Sequence, residues 1–570
     1  MAKKARAVKR APHGRKKRSS PAKAKKGRSS KETSGRKSGK AQTSTTPASL
    51  SSKVSHARKS TTSQNHTPTV GGGTISVRMY RGLLGDFFFI RHTVGAKSFK
   101  MLIDCGVLQR IGTEKAKPST SLGKQRIVAG ARDFIQECAG SVDLIVATHE
   151  HYDHLSGFML ANDSFANFKI GKVWMAWTED RRDRLANSYR NKKNKALAAL
   201  ALLADNPSLS AAEAMETVRN LLQFYGNVTG PGIAAAGRTG AARLSGNSSC
   251  EAVLEWLRQK AGMANVSFLK PGDVVRWGVD DIFRAYVLGP PRDDQRLRQL
   301  DPSKGSAREV YLARGEDVES LTGLAAIHTE RERDWHLDDL PFAPLHWRSY
   351  DLDGTTRGPK SKKLDDPIVK LYERTDDISR DRRIDADWLG SAENLALKID
   401  GDVNNTSLAL ALELADKRVF LFPGDAQVGN WLSWGDQTYS AEDKKDGPKL
   451  KIDELLSRTI LYKVGHHASH NATLRNQGLE LMTNPDLCAM IPVVEKTARE
   501  QKTKSSPDGW AMPYGDLYKR LEQRTAGRIV RGDGDISEEK RKFGKSIFGL
   551  SYGDTLKPKD PLWVELSLKI

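Results

Sequence analysis

Apolar runs that end in polar or glycine-rich turns recur along the chain and predict the strands of an α/β domain. The run from Val142 to Ala147 is mostly apolar, which is typical of a strand buried on both faces of a sheet. Residues Leu562 to Ile570 alternate between apolar and polar side chains, which predicts a half-buried strand. Further strands are predicted over Thr74 to Tyr80, Asp86 to Arg91, Phe99 to Asp104, Lys172 to Ala176, Ser407 to Leu414, Arg418 to Phe422, Leu461 to Val464 and within Val266 to Leu288.

Two long insertions interrupt this strand pattern. The first, at about residues 180–262, is helical, since Asn194 to Asp205 is rich in Ala and Leu and Ala211 to Phe224 has an apolar face at helical spacing. It is either a structural cap or a lid that edges a cleft. The second, at about residues 292–395, is highly charged and irregular, and a long insertion of this kind is more often functional or disordered than part of a core. A separate helix is predicted around Ala131 to Ala139.

Positive charge is concentrated at the N-terminus. The chain of 570 residues has a net charge of +23, and residues 1–70 contain 20 Lys and Arg against one acid, Glu32, a local charge of +19 that leaves +4 for the remainder. This segment has almost no large apolar residue, so it cannot bury a core. We expect a disordered basic tail over residues 1–73 and a folded domain over residues 74–570. The basic residues that we expect to contact nucleic acid are Lys3, Lys4, Arg15, Lys16, Lys17, Arg18, Lys25 and Lys26.

A tail of this composition binds phosphate polymers without sequence preference, or it only solubilises the protein. It has no apolar segment of the kind found in secretory signals, and no stretch elsewhere is long and apolar enough to span a membrane. The four cysteines, Cys105, Cys138, Cys250 and Cys488, are far apart and include no C-x-x-C pair. These features predict a cytoplasmic protein, with an organelle address as the alternative.

The most informative motif follows the strand predicted at Val142 to Ala147. It is His149-Glu150-His151-Tyr152-Asp153-His154. Alternate residues of an extended segment point the same way, so His149, His151 and Asp153 can converge on one space. We expect His154 to open a turn. Imidazole and carboxylate are ordinary ligands of Zn²⁺ and similar metals, and α/β sheets place ligand sites at the carboxyl ends of their strands.

This motif resembles the metal-binding signature of the metallo-β-lactamase superfamily. Three other segments resemble further motifs of that superfamily and occur in the same order. They are Leu102-Ile103-Asp104-Cys105-Gly106, Val419-Phe420-Leu421-Phe422-Pro423-Gly424-Asp425 and Tyr462-Lys463-Val464-Gly465-His466-His467-Ala468-Ser469. The resemblance implies an αββα sandwich, here carrying the helical and charged insertions.

Finer details resemble the ComEC/Rec2 branch of the superfamily. These are Gly85-Asp86, Pro271-Gly272-Asp273, Val287-Leu288-Gly289-Pro290-Pro291, Asn404-Asn405-Thr406-Ser407 and the His466-His467 segment. The wider superfamily has a histidine where this chain has Asn404-Asn405, and the branch usually has Gly where this chain has Ala468. An amide oxygen is a weak, hard ligand, so Asn404 or Asn405 would be a weak third ligand of one metal, or a water would take that place.

The resemblance implies two divalent metal ions, Zn²⁺ or Mn²⁺, that share Asp425. One ion would take His149 and His151, and the other would take Asp153, His154 and either His466 or His467. Asp104 would support the motif loop through hydrogen bonds. Lys463 would either orient a phosphate or face solvent from its strand. The histidines of the second insertion (His328, His336 and His346) are either exposed loop residues or a source of the missing ligand.

The reaction class implied is hydrolysis by a hydroxide between the metals, with Asp153 and Asp425 as catalytic carboxylates. A phosphodiesterase or nuclease acting on DNA or RNA is the leading hypothesis, because it combines the resemblance with the basic tail. A hydrolase of small esters, lactones or thioesters is the first alternative. The second is a non-catalytic protein that binds nucleic acid, and the complete ligand set of the Asp153 metal argues against it.

Overall fold

The computed structural model describes residues 73–108, 122–204, 213–226, 244, 248–300, 387–440, 449–502, 508–557 and 560–570. All of these residues belong to one compact unit, Pro68–Ile570. The predicted basic tail, apart from Gly73, and most of the second insertion lie outside the described residues.

The described residues form two large mixed sheets. The first has eight strands in the order β16-β17-β1-β2-β3-β4-β5-β6. Strands β3, β4, β5 and β6 are parallel, whereas β16, β17, β1 and β2 pair antiparallel. Their bounds are β1 (Thr74–Tyr80), β2 (Phe88–Val94), β3 (Lys97–Ile103), β4 (Ser141–Ala147), β5 (Lys169–Ala176), β6 (Val266–Leu269), β16 (Gly549–Lys557) and β17 (Asp560–Lys569).

The second sheet has seven strands among the described residues, in the order β15-β14-β13-β10-β9-β8-β7. The hairpin predicted at Ser407 to Phe422 is confirmed by the antiparallel pairing of β9 with β10. Bounds are β7 (Val274–Trp277), β8 (Phe283–Gly289), β9 (Ala409–Glu413), β10 (Val419–Phe422), β13 (Thr459–Lys463), β14 (Cys488–Ile491) and β15 (Ile529–Arg531). A separate two-stranded ribbon consists of β11 (Tyr439–Ser440) and β12 (Lys449–Leu450).

Helices pack against both sheets, and some of them form a separate layer. They are α1 (Leu122–Glu137), α2 (Tyr152–Leu160), α3 (Asn162–Phe165), α4 (Arg184–Ala204), α5 (Glu213–Leu222), α6 (Cys250–Ala261), α7 (Asp294–Leu297), α8 (Asp387–Asn404), α9 (Val428–Ser433), α10 (Ile452–Ser457), α11 (Glu495–Glu500), α12 (Gly515–Arg524) and α13 (Ile536–Phe543). No helix of the described segments is long and apolar enough to cross a membrane.

The two sheets share one apolar layer. Side chains from both contribute to it, and the rings of Phe88 and Phe422 meet edge to face with centroids 5.6 Å apart. The opposite face of the first sheet packs on α1, α2 and α6, and that of the second packs on α9, α10 and α12. In strand β4, Ile145 packs between the first sheet and its outer helices, and Val146 packs in the layer between the two sheets. The strand is therefore buried on both faces, as its apolar run predicts.

The insertions contribute a helical layer of their own. Apolar residues of α4, α5 and α8, among them Leu200, Val218 and Ile399, form a separate buried cluster. The helical character predicted for the first insertion is therefore confirmed. Helix α8 runs from Asp387 to Asn404 and therefore continues past the predicted end of the second insertion at about residue 395.

Candidate metal centre

The histidine motif connects β4 to α2 at the carboxyl edge of the first sheet. His149, His151 and His154 are all buried, with at most 2% of each exposed. The turn predicted at His154 is wrong, because α2 already begins at Tyr152 and continues to Leu160. The motif loop packs tightly on the segment after β3, since a Cβ at Gly106 would lie 2.0 Å from the carbonyl carbon of Asp153. A glycine is therefore required there for the two segments to meet.

Four side chains from three distant segments converge beside this loop. Each offers one ligand atom, and these atoms all lie within 4.8 Å of one another. Nε2 of His154 is 3.1 Å from Oδ2 of Asp425, and Nε2 of His467 is 3.0 Å from Oδ2 of Asp153. We call this group, Asp153, His154, Asp425 and His467, the aspartate-rich half.

The Nδ1 atoms of both histidine rings in the aspartate-rich half already have hydrogen-bond acceptors. Nδ1 of His154 is 2.8 Å from Oδ2 of Asp104, and Nδ1 of His467 is 2.8 Å from the carbonyl oxygen of Pro492. Because these acceptors hold a proton on Nδ1, the Nε2 atoms of both rings point towards the group. Metal-ligating histidines are oriented in this way by carboxylates and carbonyls.

Asp104 also braces the motif loop, as the sequence predicts. It has a left-handed backbone (φ 54°) and accepts hydrogen bonds from the backbone N–H and the hydroxyl of Thr148, at 2.8 and 2.6 Å. Its carboxylate is fully buried. One side chain therefore fixes both the loop and the His154 ring.

The second pair of imidazoles, His149 and His151, lies next to this group. Nε2 of His149 is 3.1 Å from Nδ1 of His151, close to the roughly 3.3 Å that separates two nitrogens on a tetrahedral zinc ion. Burial lowers the pKa of His149 well below its usual range and that of His151 to about 3, so both rings are neutral and offer lone pairs. We call these two residues the histidine pair.

The buried donor set could hold a metal ion. Oδ1 of Asp153 is buried and finds no hydrogen-bond partner among the described residues, so one carboxylate oxygen has its lone pairs free. Burial by itself would lower the pKa of His154, but Asp425 and Asp86 outweigh it and raise that pKa well above its usual value. The buried carboxylates therefore stabilise positive charge at this place. Imidazole with carboxylate suits Zn²⁺ and, with more oxygen ligands, Mn²⁺.

Asp425 is held by a lysine that the sequence left ambiguous. The solvent-facing alternative for Lys463 is wrong, because only 1% of its side chain is exposed. Its Nζ lies 2.5 Å from Oδ2 of Asp86, 3.0 Å from Oδ1 of Asp425 and 2.8 Å from the carbonyl oxygen of Gly424. Burial would lower the pKa of Lys463, but Asp425 and Asp86 raise it, so the ammonium stays charged. All three donors are used within the protein.

The two candidate histidines of the last motif have different positions. The ring of His467 reaches Asp153, whereas His466 contributes its backbone N–H, which donates to Oδ1 of Asp425 at 2.8 Å. Three successive residues, His466, His467 and Ala468, have left-handed φ values of 43°, 51° and 63°. This conformation is costly for residues other than glycine, and it turns the His467 ring into the group.

The two asparagines also differ. Oδ1 of Asn405 accepts from the backbone N–H groups of Gln427 and Asn430, and Nδ2 donates to the carbonyl oxygen of Gln299, so this side chain is committed to loop contacts. Oδ1 of Asn404 is buried, and no hydrogen-bond partner for it exists in the described part of the chain. Of the two predicted third ligands, Asn404 is thus the one with a free oxygen.

Sequence reasoning missed three neighbours of the candidate centre. Asp86 pairs with Lys463, and its Gly85-Asp86 segment was the available signal. Tyr225, within the first insertion, places its hydroxyl 3.4 Å from Nε2 of His151, and Oδ1 of Asp400, in α8, is 3.6 Å from the same nitrogen. Neither Tyr225 nor Asp400 lies in a motif, and only the fold brings them there.

The comparisons with family models and with curated proteins identify no family for this chain. No family model matches the chain, and no curated protein matches it significantly. The geometry of the described residues is therefore the ground for a functional interpretation. The predicted tail lysines and arginines and the histidines of the second insertion lie outside the described residues.

Proposed function

We propose that this protein is a metal-dependent hydrolase of the metallo-β-lactamase superfamily, similar to the ComEC/Rec2 branch. The supporting observation is the convergence of Asp153, His154, Asp425 and His467, from three segments far apart in the chain, on one buried position. The two packed sheets with helices outside them are consistent with the αββα sandwich of that superfamily.

Two divalent ions would occupy adjacent positions. The aspartate-rich half would hold one ion, and the histidine pair would hold the other, with Asp425 shared between them. Bound ions would supply Lewis-acid activation of water and stabilisation of charge on the reacting oxygens. Asp104 and Lys463 keep the ligands in place, through His154 and Asp425 respectively.

The proposed substrate is a phosphodiester of DNA or RNA. The basic N-terminal segment, with 20 Lys and Arg in residues 1–70, suits a phosphate polymer. Hydrolysis of a small ester, lactone or thioester needs no such segment. Nucleic acid is therefore the proposed partner, and the sequence supports it through charge alone.

The test begins with full-length protein stripped of metal by a chelator. Its metal content and activity are measured before and after addition of Mn²⁺ or Zn²⁺, on single-stranded DNA, duplex DNA, RNA and a simple phosphodiester, with a p-nitrophenyl ester and a lactone for comparison. We expect metal-dependent cleavage of a phosphodiester. Activity that persists in metal-free protein would refute the proposal, and turnover of the ester or lactone alone would favour the small-molecule alternative.

A second arm separates the basic tail from the catalyst. Deletion of residues 1–70 should weaken nucleic-acid binding and flatten its salt dependence, because fewer counterions are released. It should leave kcat on the simple phosphodiester nearly unchanged, because the candidate ligands lie in the described domain. An unchanged salt slope would mean that the folded domain binds the polymer and the tail does not.

A further inference from the structure

A cavity of about 460 Å³ lies beside the metal centre, between α4 and α8. Glu150, which stands between His149 and His151 in sequence, lines this cavity and pairs there with Lys193. The volume falls within the range of roughly 300–1,000 Å³ that is usual for sites of small organic ligands. We call it the helical cavity.

One side of the helical cavity is apolar. Leu395, Ile399 and Val403 line it from successive turns of α8, and Ala196 of α4 and Leu297 of α7 add to the surface. These residues are nearly all covered by protein, so the wall is already formed. A flat apolar group can be placed against such a wall without rearrangement.

Positive charge dominates the remainder of the lining. Six cationic side chains and three carboxylates contribute to it. Glu150 is neutralised by Lys193, and Glu179 lies 3.6 Å from Arg258. Lys192 and Lys195 are exposed on α4, and Lys398 is half-buried on α8, so an anion near them would remain accessible from solvent. Lysine ammonium groups are common ligands of phosphate.

The polar groups of the lining disfavour a hydrocarbon chain. Oδ1 of Asp402 is buried and has no hydrogen-bond partner among the residues that the structure describes. An occupant with N–H donors would satisfy this acceptor, whereas a hydrocarbon would leave it unpaired at a cost of about 1–3 kcal/mol. The combination of apolar wall, unsatisfied acceptor and lysines fits a nucleobase that carries a phosphate.

We propose that the helical cavity binds a nucleotide, with its base against Ile399 and Val403 and its phosphate among Lys192, Lys195 and Lys398. The nucleotide is either free or part of a strand, since both present the same chemistry. The assignment to a strand whose neighbouring phosphodiester reaches the metal centre rests on the proposed function. Binding of a nucleotide as such is independent of metal and of hydrolysis.

The test uses full-length protein in a chelator, so that phosphate cannot bind through metal. Nucleoside monophosphates and a short single-stranded oligonucleotide are titrated calorimetrically into native protein and into K192E/K195E and K398E. K519E is the matched control, because Lys519 is an exposed helical lysine of α12 that does not line the cavity. We expect the cavity variants to lose at least about fivefold in affinity and K519E to lose less than twofold.

Each outcome is decisive. Mononucleotide binding that the cavity variants weaken supports a free nucleotide as ligand, and the same loss seen for the oligonucleotide alone supports a nucleotide within a strand. Equal affinities in K398E, K192E/K195E and K519E overturn the proposal, as does palmitate binding that nucleotides do not displace. Because the titration needs no metal, its failure is distinguishable from failure of the hydrolase proposal, which the metal-loaded activity measurement tests.

Discussion

The aspartate-rich half and the histidine pair lie side by side, but they differ in how many ligand side chains each contains and in how firmly these are held by hydrogen bonds. In the aspartate-rich half, each ring has an acceptor on Nδ1 and Asp425 has a buried lysine beside it. The histidine pair has two nitrogens at a suitable distance but belongs to no group of three or more ligand side chains among the described residues. If each half holds an ion, as proposed above, we expect unequal affinities, with the aspartate-rich half binding metal more tightly.

The largest effect is expected from Asp425→Asn, because this residue belongs to the aspartate-rich half and is the proposed shared ligand. Removing a hydrogen-bond partner of a metal ligand lowers activity by up to roughly hundredfold. We expect loss of Asp425 itself to lower activity by more than that and to reduce the metal content. Mass spectrometry of bound metal and steady-state kinetics measure both. Asp436→Asn, at a side chain that is 65% exposed, is the control. Native metal content and activity in Asp425→Asn would remove the basis of the comparison.

The next effect concerns stability. Lys463→Met leaves Asp86 and Asp425 buried without their cation, so the free energy of unfolding should drop by about 3–5 kcal/mol. Lys97→Met breaks an exposed pair with Asp280 and should cost less than about 1 kcal/mol. Denaturant titration of both variants measures the contrast. Similar losses in the two would mean that the buried pair adds nothing special to the aspartate-rich half.

Asp104→Asn should have a smaller and more specific effect. Asparagine tolerates the left-handed backbone at this position, so the fold should persist while the His154 ring loses its anionic acceptor. Metal affinity of the aspartate-rich half should fall about 10–100-fold. Asp280→Asn has nearly the same φ, 56°, at an exposed position and serves as control in the same calorimetric titration. An unchanged affinity in Asp104→Asn would show that the carboxylate only braces the loop.

The smallest effect should come from the asparagines and bears on the histidine pair. Titration of metal-free protein should show two unequal affinities, and Asn404→His should tighten the weaker one by about tenfold or less, because imidazole is the better ligand. Asn405→Ala should instead reduce stability by about 1–3 kcal/mol through its lost loop contacts and leave the two affinities unequal. Two equal, tight sites in the native chain would point to a histidine from the second insertion.

Local patterns predicted the elements and motifs that lie within single segments. The strand before His149, the hairpin after Ser407 and the terminal strand follow from periods of apolar residues, and the structure confirms them. Their bounds shift by a few residues, because hydrogen bonds with neighbouring strands decide where pairing ends. The helix at Tyr152 was missed, since a polar loop sequence is compatible with either a turn or a first helical turn.

Contacts between distant segments could not be predicted in the same way. Lys463 looks like any strand residue until β13 is placed beside Asp86, and Tyr225 and Asp400 reach His151 only because the insertions fold back over the motif loop. The difference between Asn404 and Asn405 likewise depends on which backbone N–H groups lie nearby. These contacts depend on which distant segments the fold brings together, and no periodic pattern in the sequence predicts that.

The three left-handed residues His466, His467 and Ala468 have a consequence for how the protein would exchange metal. Their conformation is disfavoured locally, so contacts with the surrounding fold must help to hold the His467 ring in place. The carbonyl of Pro492 anchors the same ring from the far side. Loss of a bound ion should therefore leave the binding site preformed, with the His467 ring in place. The protein should then be able to release and rebind metal repeatedly without refolding.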